Sequence, residues 1–232
     1  MIRDVTDALR PIAPELWVAE RPLRFLGVDL GIRATVARLR DGGLWVHSPV
    51  ALDPALRAAV HALGPVRFVV APNLFHHRFV GAWGDAHPDA RLHAAPGLPE
   101  KRRDLAFHAL LGDAPPAEWA ADLDQVLVRG APIANEVVFL HRASGTLILT
   151  DLAFHLDAGC PFRTRLAARL LGVYGRLGPT WIARHLLFAD RRAARRAFDR
   201  IRSWDFDRVV VAHGRVQDRG GKAALLRSYA WL

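Results

Sequence analysis

Apolar and polar residues along this chain alternate between two periods. Leu16 to Ala19 opens with a strand-like run. Gly31 to Arg40 and Leu44 to His47 are β-type segments separated by Asp41-Gly42-Gly43, a turn that predicts a hairpin. Ser48-Pro49 ends the second strand. Pro54 to Leu63 then has helical spacing, with Asp53 at the N-cap and Pro54 in the first helical position. Gly64-Pro65 stops that helix and launches the apolar run Val66 to Ala71. A short strand is predicted at Arg91 to Ala94 and a helix at Lys101 to Leu111.

Beyond Pro115-Pro116 the period returns to two, at Gln125 to Val128, Glu136 to His141 and Thr146 to Thr150. Ser144-Gly145 makes the last two a hairpin. Helices are predicted at Arg163 to Gly172, Thr180 to Leu187 and Asp190 to Ser203. The last places Arg191, Arg192, Arg195, Arg196 and Arg200 on one side, and Ala193, Ala194, Ala197, Phe198 and Ile201 on the other. Arg208 to Ala212 is a buried strand ending at His213-Gly214, and Gly221 to Ala230 closes the chain as a helix. Strands thus fall in two groups, each followed by helices. Two mixed sheets packed face to face with helices outside satisfy this order. A doubly wound fold does not, because hairpins stand where crossover helices should be.

The chain of 232 residues, just over half of them hydrophobic, suits a single domain with a sizeable core. Its formal net charge of +9 points towards nucleic acid or another anionic partner. Arginine supplies nearly all of it, since Lys101 and Lys222 are the only lysines. GC-rich coding produces the same composition, which weakens that inference. With Cys160 as the only cysteine, there is no intrachain disulfide and no cysteine-based zinc site. Arg3, Asp4, Asp7 and Arg10 precede any apolar run, and no run is long enough to span a bilayer. The expectation is a cytoplasmic protein with no membrane partner.

Chemistry gathers where the buried strands end. Val66 to Ala71 runs into Pro-Asn-Leu-Phe-His-His-Arg-Phe-Val-Gly, with adjacent His76 and His77. Thr146 to Thr150 delivers Asp151, and Val209 to Ala212 delivers His213. Ligand sites in α/β sheets favour such ends, and histidine with carboxylate can bind a metal or move a proton. Singly, each of these fits a satisfied turn residue; their recurrence at three ends argues for a site. Gly-rich phosphate loops and a Gly-x-Ser-x-Gly elbow are both missing.

The order of elements, the hairpin ending Thr-Leu-Ile-Leu-Thr-Asp and the late Val-Val-Val-Ala-His-Gly resemble the metallo-β-lactamase fold, from Leu16 to Tyr229. The resemblance implies a four-layer αβ/βα sandwich. In that family the first strand-end loop reads His-x-His-x-Asp-His-x-x-Gly. Matching its glycine to Gly81 places Asn73, Phe75, His77 and Arg78 at the His, His, Asp and His positions. Pro132 falls at the histidine of the middle loop, Asp151 at the bridging aspartate and His213 at the final histidine. The first metal site is therefore lost. The second is expected to keep His77, Asp151 and His213. The segments Asn-Glu before Val-Val-Phe-Leu-His and Asp-Leu-Ala-Phe-His look like a branch of the fold known as a domain of unknown function. Glu136 and His155 belong to the same pattern. Glu136 could stand in for the missing histidine, and a helical turn would bring His155 to the side of Asp151.

Three readings follow. In the first, one Zn or Fe ion on His77, Asp151 and His213 supports hydrolysis of a phosphoester or carboxylate-bearing substrate. His76 then moves a proton and Arg78 clamps the anionic group. The second is a metal-free pseudoenzyme that binds a ligand or partner. The third is nucleic-acid binding through the arginine face of Asp190 to Ser203, with the salt sensitivity that implies.

Overall fold

The computed structural model describes residues 8–232; the charged stretch holding Arg3, Asp4 and Asp7 lies outside them. The strands are β1 (Arg10–Ala13), β2 (Leu16–Arg21), β3 (Arg24–Phe25), β4 (Val28–Asp29), β5 (Ile32–Arg38), β6 (Leu44–His47), β7 (Val66–Ala71), β8 (Arg91–Ala94), β9 (Ala109–Leu110), β10 (Leu123–Leu127), β11 (Val137–His141), β12 (Thr146–Ile148) and β13 (Arg208–Val210). The α-helices are α1 (Pro54–Leu63), α2 (Val80–Ala86), α3 (Leu98–Lys101), α4 (Phe162–Leu170), α5 (Arg191–Ser203) and α6 (Gly221–Ser228).

Seven strands form one mixed sheet in the order β1-β2-β5-β6-β7-β8-β9, and four form a second in the order β10-β11-β12-β13. Strand β7 shows why they stack. Phe68 and Val70 face the other sheet, joining Trp45, Trp119, Val137, Phe139 and Ile148 in the central core. Val69 and Ala71 point the opposite way, into a core shared with Leu56 and Val60 of α1 and Val80 and Trp83 of α2. The small sheet does the same with its outer face, where Val138, Leu140 and Val209 meet Ala194, Phe198 and Ile201 of α5 and Leu225 of α6. Period-two burial on both faces yields helix, sheet, sheet, helix. The caps behave as the sequence predicts: Asp53 Oδ1 accepts from Leu56 N at 2.8 Å, and Asp190 Oδ1 accepts from Arg192 N and Ala193 N at 2.9 and 3.0 Å.

Several expectations are corrected. The helix expected at Lys101 to Leu111 is only the single turn α3. Arg102 leaves helical geometry and donates to the carbonyl of His77 at 3.0 Å. The chain then pairs as edge strand β9 with β8, whose hydrogen bonds outweigh the local helical preference. Thr180 to Leu187 is wound partly as a π-helix, Ala183–Leu187. Strand β1 and the β3–β4 hairpin were not legible in the pattern. The hairpin turns through Leu26 and Gly27, both at positive φ (48° and 78°), which favours a tight two-residue connection. On α5, Arg200 pairs with Asp124 at 2.8 Å and Arg202 with Asp199 at 2.7 Å. Arg192, Arg195 and Arg196 are exposed.

Candidate metal centre at the strand ends

Asn73, two residues after β7, directs the first loop. Its Oδ1 accepts from Phe75 N at 2.9 Å and His76 N at 2.7 Å, curling the backbone into a tight turn. That turn swings His76 inward, where its Nδ1 meets Ser48 Oγ at 2.7 Å. Ser48 follows β6 with φ at 53°, an uncommon conformation for a residue with a side chain, held by its N–H to Val70 O at 3.0 Å.

Glu136, fully buried just before β11, organises the second loop. Its carboxylate accepts from Thr150 N at 2.6 Å, Asp151 N at 2.8 Å and Leu152 N at 3.1 Å. Three successive N–H groups around one carboxylate make a small anion nest and fix the backbone that carries Asp151. Asn73 Nδ2 joins the two loops, lying 2.6 Å from Asp151 Oδ2, 2.9 Å from Thr150 Oγ1 and 3.2 Å from Glu136 Oε2. Burial, together with the charge of Asp151, pushes Glu136 up to about 7, against the pull of the Thr150 bonds. Burial acts to raise Asp151 as well, but the charges and hydrogen bonds of His76 and His213 outweigh it. They hold that carboxyl well below the usual carboxylate range.

The third loop follows β13. His213 Nδ1 lies 2.6 Å from the carbonyl of Gly31, at the start of β5. Phe154 stacks on the imidazole with centroids 5.3 Å apart and planes 11° apart. Buried Arg33 donates to the carbonyls of Val211 and Gly214, bracketing His213. Gly214, at φ 90°, is required where it stands: a Cβ there would lie 2.1 Å from the carbonyl oxygen of His155.

These loops bring His76, Asp151 and His213 together, with one donor atom from each inside 4.8 Å of the others. His76 Nε2 is 3.2 Å from Asp151 Oδ2, and His213 Nε2 is 3.5 Å from Asp151 Oδ1. A carbonyl only accepts, so His213 Nδ1 carries a hydrogen, and Nε2 is the ring atom turned on the carboxylate. Two electron-rich atoms facing each other at that distance need a proton or a cation between them. The donor set fits a metal: two imidazoles and a carboxylate are a zinc or iron set. The two His–Asp separations, 3.2 and 3.5 Å, are close to the edge of about 3.4 Å in a tetrahedron with bonds near 2.1 Å.

The structure thus puts His76, not His77, beside Asp151 and His213. His77 turns outward, its Nδ1 3.1 Å from the Arg102 guanidinium. Burial, with Lys101 and Arg102 nearby, lowers its pKa below the ordinary histidine value. Arg78 is exposed, its guanidinium 5.5 Å from the Phe79 ring, and Phe75 and Pro132 are exposed too. The helical turn expected to align His155 with Asp151 does not form. Phe154, His155 and Leu156 instead make extended bridges to Gly178, Gly214 and Tyr174, and His155 faces a separate pocket with Arg176 and Arg227. Sequence reasoning missed Ser48, Gly31, Thr150 and Arg33. Only Ser48 had a usable signal, as the polar residue ending a strand adjacent to β7.

Beside the His213 loop lies a cleft of about 560 Å³, bordered by Gly31, Ala212 and Gly214. Arg10, Arg21, Arg33 and Arg215 line it, against Glu20, Asp29 and Asp157.

Two helix-flanked mixed sheets with this site at their strand ends define the metallo-β-lactamase fold. A metallo-beta-lactamase from Erythrobacter litoralis, with beta mercaptoethanol in its active site, superimposes with TM-score 0.66 at 15% identity, covering 97% of this chain and 96% of that one. DIM-1 metallo-beta-lactamase exposed to ceftazidime gives 0.66 at 15%, covering 96% and 94%. The metal-soaked Flv1 flavodiiron core from Synechocystis sp. gives 0.66 at 11%, covering 96% of this chain and 60% of that one. The chain belongs to the family described as Domain of unknown function (DUF4336), whose model matches residues 14–177. No curated protein matches it by sequence.

Proposed function

We propose that the protein is a mononuclear metal-dependent hydrolase acting on an anionic substrate, with His76, Asp151 and His213 as ligands. The observation that carries this reading is the convergence of His76 Nε2 and His213 Nε2 on the two oxygens of Asp151, at 3.2 and 3.5 Å. A bound Zn²⁺ or Fe²⁺ would supply Lewis acidity and an activated water. The chain's own residues supply order. Ser48 sets the His76 ring, the Gly31 carbonyl sets the His213 tautomer, and Asn73 takes one Asp151 lone pair so that the carboxylate keeps one orientation. Phe154 over His213 keeps water from one side of the ring. Arg10, Arg21, Arg33 and Arg215 in the adjacent cleft, held by ion pairs to Glu20, Asp53 and Asp157, favour a phosphoester or carboxylate-bearing substrate able to compete for them.

A second reading has its own observation. Asn73 Nδ2 already satisfies Asp151 Oδ2, and a protonated His213 would satisfy Oδ1 without metal, as in a ligand-binding relative of the enzymes. Elemental analysis of untagged protein purified without chelator separates the two, beside an Asp151→Ala/His213→Ala double variant. Near-stoichiometric zinc or iron that is lost in the variant supports the hydrolase and directs a screen of chromogenic phosphoesters. Trace metal, equal in both proteins, overturns it in favour of the metal-free reading.

A further inference from the structure

Six of the large apolar side chains exposed on this protein belong to one stretch: Phe162, Leu166, Leu170, Trp181, Ile182 and Leu186. The first three recur at every fourth position of α4 and share one face. Trp181 abuts the end of that helix, its Nε1 donating to Leu170 O at 2.9 Å and its backbone N–H to Leu171 O at 3.1 Å. Ile182 and Leu186 continue the ridge into the π-helical turn. The β3–β4 hairpin extends it at the other end, where Arg24 and Gly27 share a groove with Phe162 and exposed Phe25 and Leu26 form the tip. Exposures of 67–71% at Leu186, Phe162 and Leu170 mark side chains that project outward.

The charges around this ridge are mostly positive, with Asp29 in the Phe162 groove as the acidic exception. Between Ala158 and Ala189 the chain has five arginines, Arg163, Arg165, Arg169, Arg176 and Arg184, and no aspartate or glutamate. None of the five is in an ion pair among the described residues, whereas Arg38, Arg67, Arg91 and Arg142 elsewhere on the surface each have a carboxylate. A second copy docking on this ridge by two-fold symmetry would set these arginines against themselves. A projecting apolar ridge rimmed by unpaired arginines instead matches the interface of an anionic bilayer. There Trp, Phe and Leu enter the headgroup boundary and arginine stems reach back to phosphates.

We propose that α4, the turn at Trp181 to Leu187 and the β3–β4 tip form a docking surface for an anionic lipid bilayer. No helix among the described residues is long and apolar enough to cross a membrane, and lying on the surface needs none. The opposite face of α4 packs through Ala168 onto Leu156 and Val173, in the cluster that includes Phe154, which stacks on His213. Docking therefore places the candidate centre near the headgroup layer.

Co-sedimentation tests this directly, using the full chain with vesicles of phosphatidylcholine alone or mixed with phosphatidylglycerol. The expected result is pelleting with the mixed vesicles in dilute salt, weak pelleting with phosphatidylcholine, and release as salt is raised. Leu166→Asp/Leu170→Asp should reduce partitioning by about tenfold or more with unchanged circular dichroism. Arg163→Glu/Arg169→Glu should do the same, and His213→Ala should bind like the wild type, which separates docking from the metal centre. No pelleting in dilute salt overturns the proposal, as does equal binding by both surface variants. So does light scattering that shows a dimer broken by the same substitutions, which would identify a second copy as the occupant.

Discussion

Asn73 Nδ2 lies 2.6 Å from Asp151 Oδ2, so an uncharged amide occupies one side of the carboxylate at the centre of the candidate site. The same side chain accepts two backbone N–H groups of the His76 loop. One residue therefore ties two strand-end loops together. Asn73→Ala would leave those N–H groups and the buried carboxylates short of partners. A loss of about 2–4 kcal/mol is expected from urea denaturation. A change below the error of that measurement would show the loops to be held elsewhere.

His76 and His77 should separate cleanly on metal content. His76→Ala removes a proposed ligand and is expected to lower bound zinc or iron severely, while His77→Ala leaves it unchanged. Ser48→Ala, which frees the His76 ring without touching the donor atom, is expected to weaken metal affinity by about 10–100-fold. Competition with a chromogenic chelator reads all three. The reverse order for the two histidines would return the ligand to the position expected from the family motif.

His47 should set part of the acid limit of stability. It is fully buried between Trp45 and Phe139, neither ring nitrogen has a partner, and burial, aided by His76, lowers its pKa to about 3. The unfolded chain, near 6.5, binds the proton more tightly, so this stability is whole above 6.5 and is lost as pH falls towards 3. His47→Phe should flatten stability against pH by about 1.4 kcal/mol per unit between pH 6 and 4. Chemical denaturation across that range checks it; an unchanged slope would sink the idea. His93, lowered to about 4 by burial, keeps the acid limb from vanishing.

Arg33 should matter more through backbone carbonyls than through its ion pair. Arg33→Met unpairs the carbonyls of Val211 and Gly214 and is expected to cost about 3 kcal/mol, with part recovered by Arg33→Lys. Glu20, its 2.8 Å partner, is half exposed. Glu20→Gln is therefore expected to cost less than about 1 kcal/mol. Comparable losses from both variants would place the energy in the ion pair instead.

Most of the architecture was legible in the chain because it rests on local rules. Strand β7 reads as buried from Val66 to Ala71, the hairpin at Asp41-Gly42-Gly43 from its turn residues, and α1 and α5 from Asp53, Pro54 and Asp190. Asp151 and His213 could be singled out because each ends an apolar strand. The choice between His76 and His77 was not legible, since neighbouring side chains diverge by the angle of the turn between them. Hydrogen bonds from Asn73 set that turn. Gly31 and Arg33 were hidden for a related reason: each meets the site from another strand, many residues away. Glu136 was visible as a carboxylate before a strand, but its role came from three N–H groups of a loop beginning at Thr150. Period and turn chemistry determine where strands end; only tertiary packing decides which side chains meet there, because those contacts join residues that no local pattern relates.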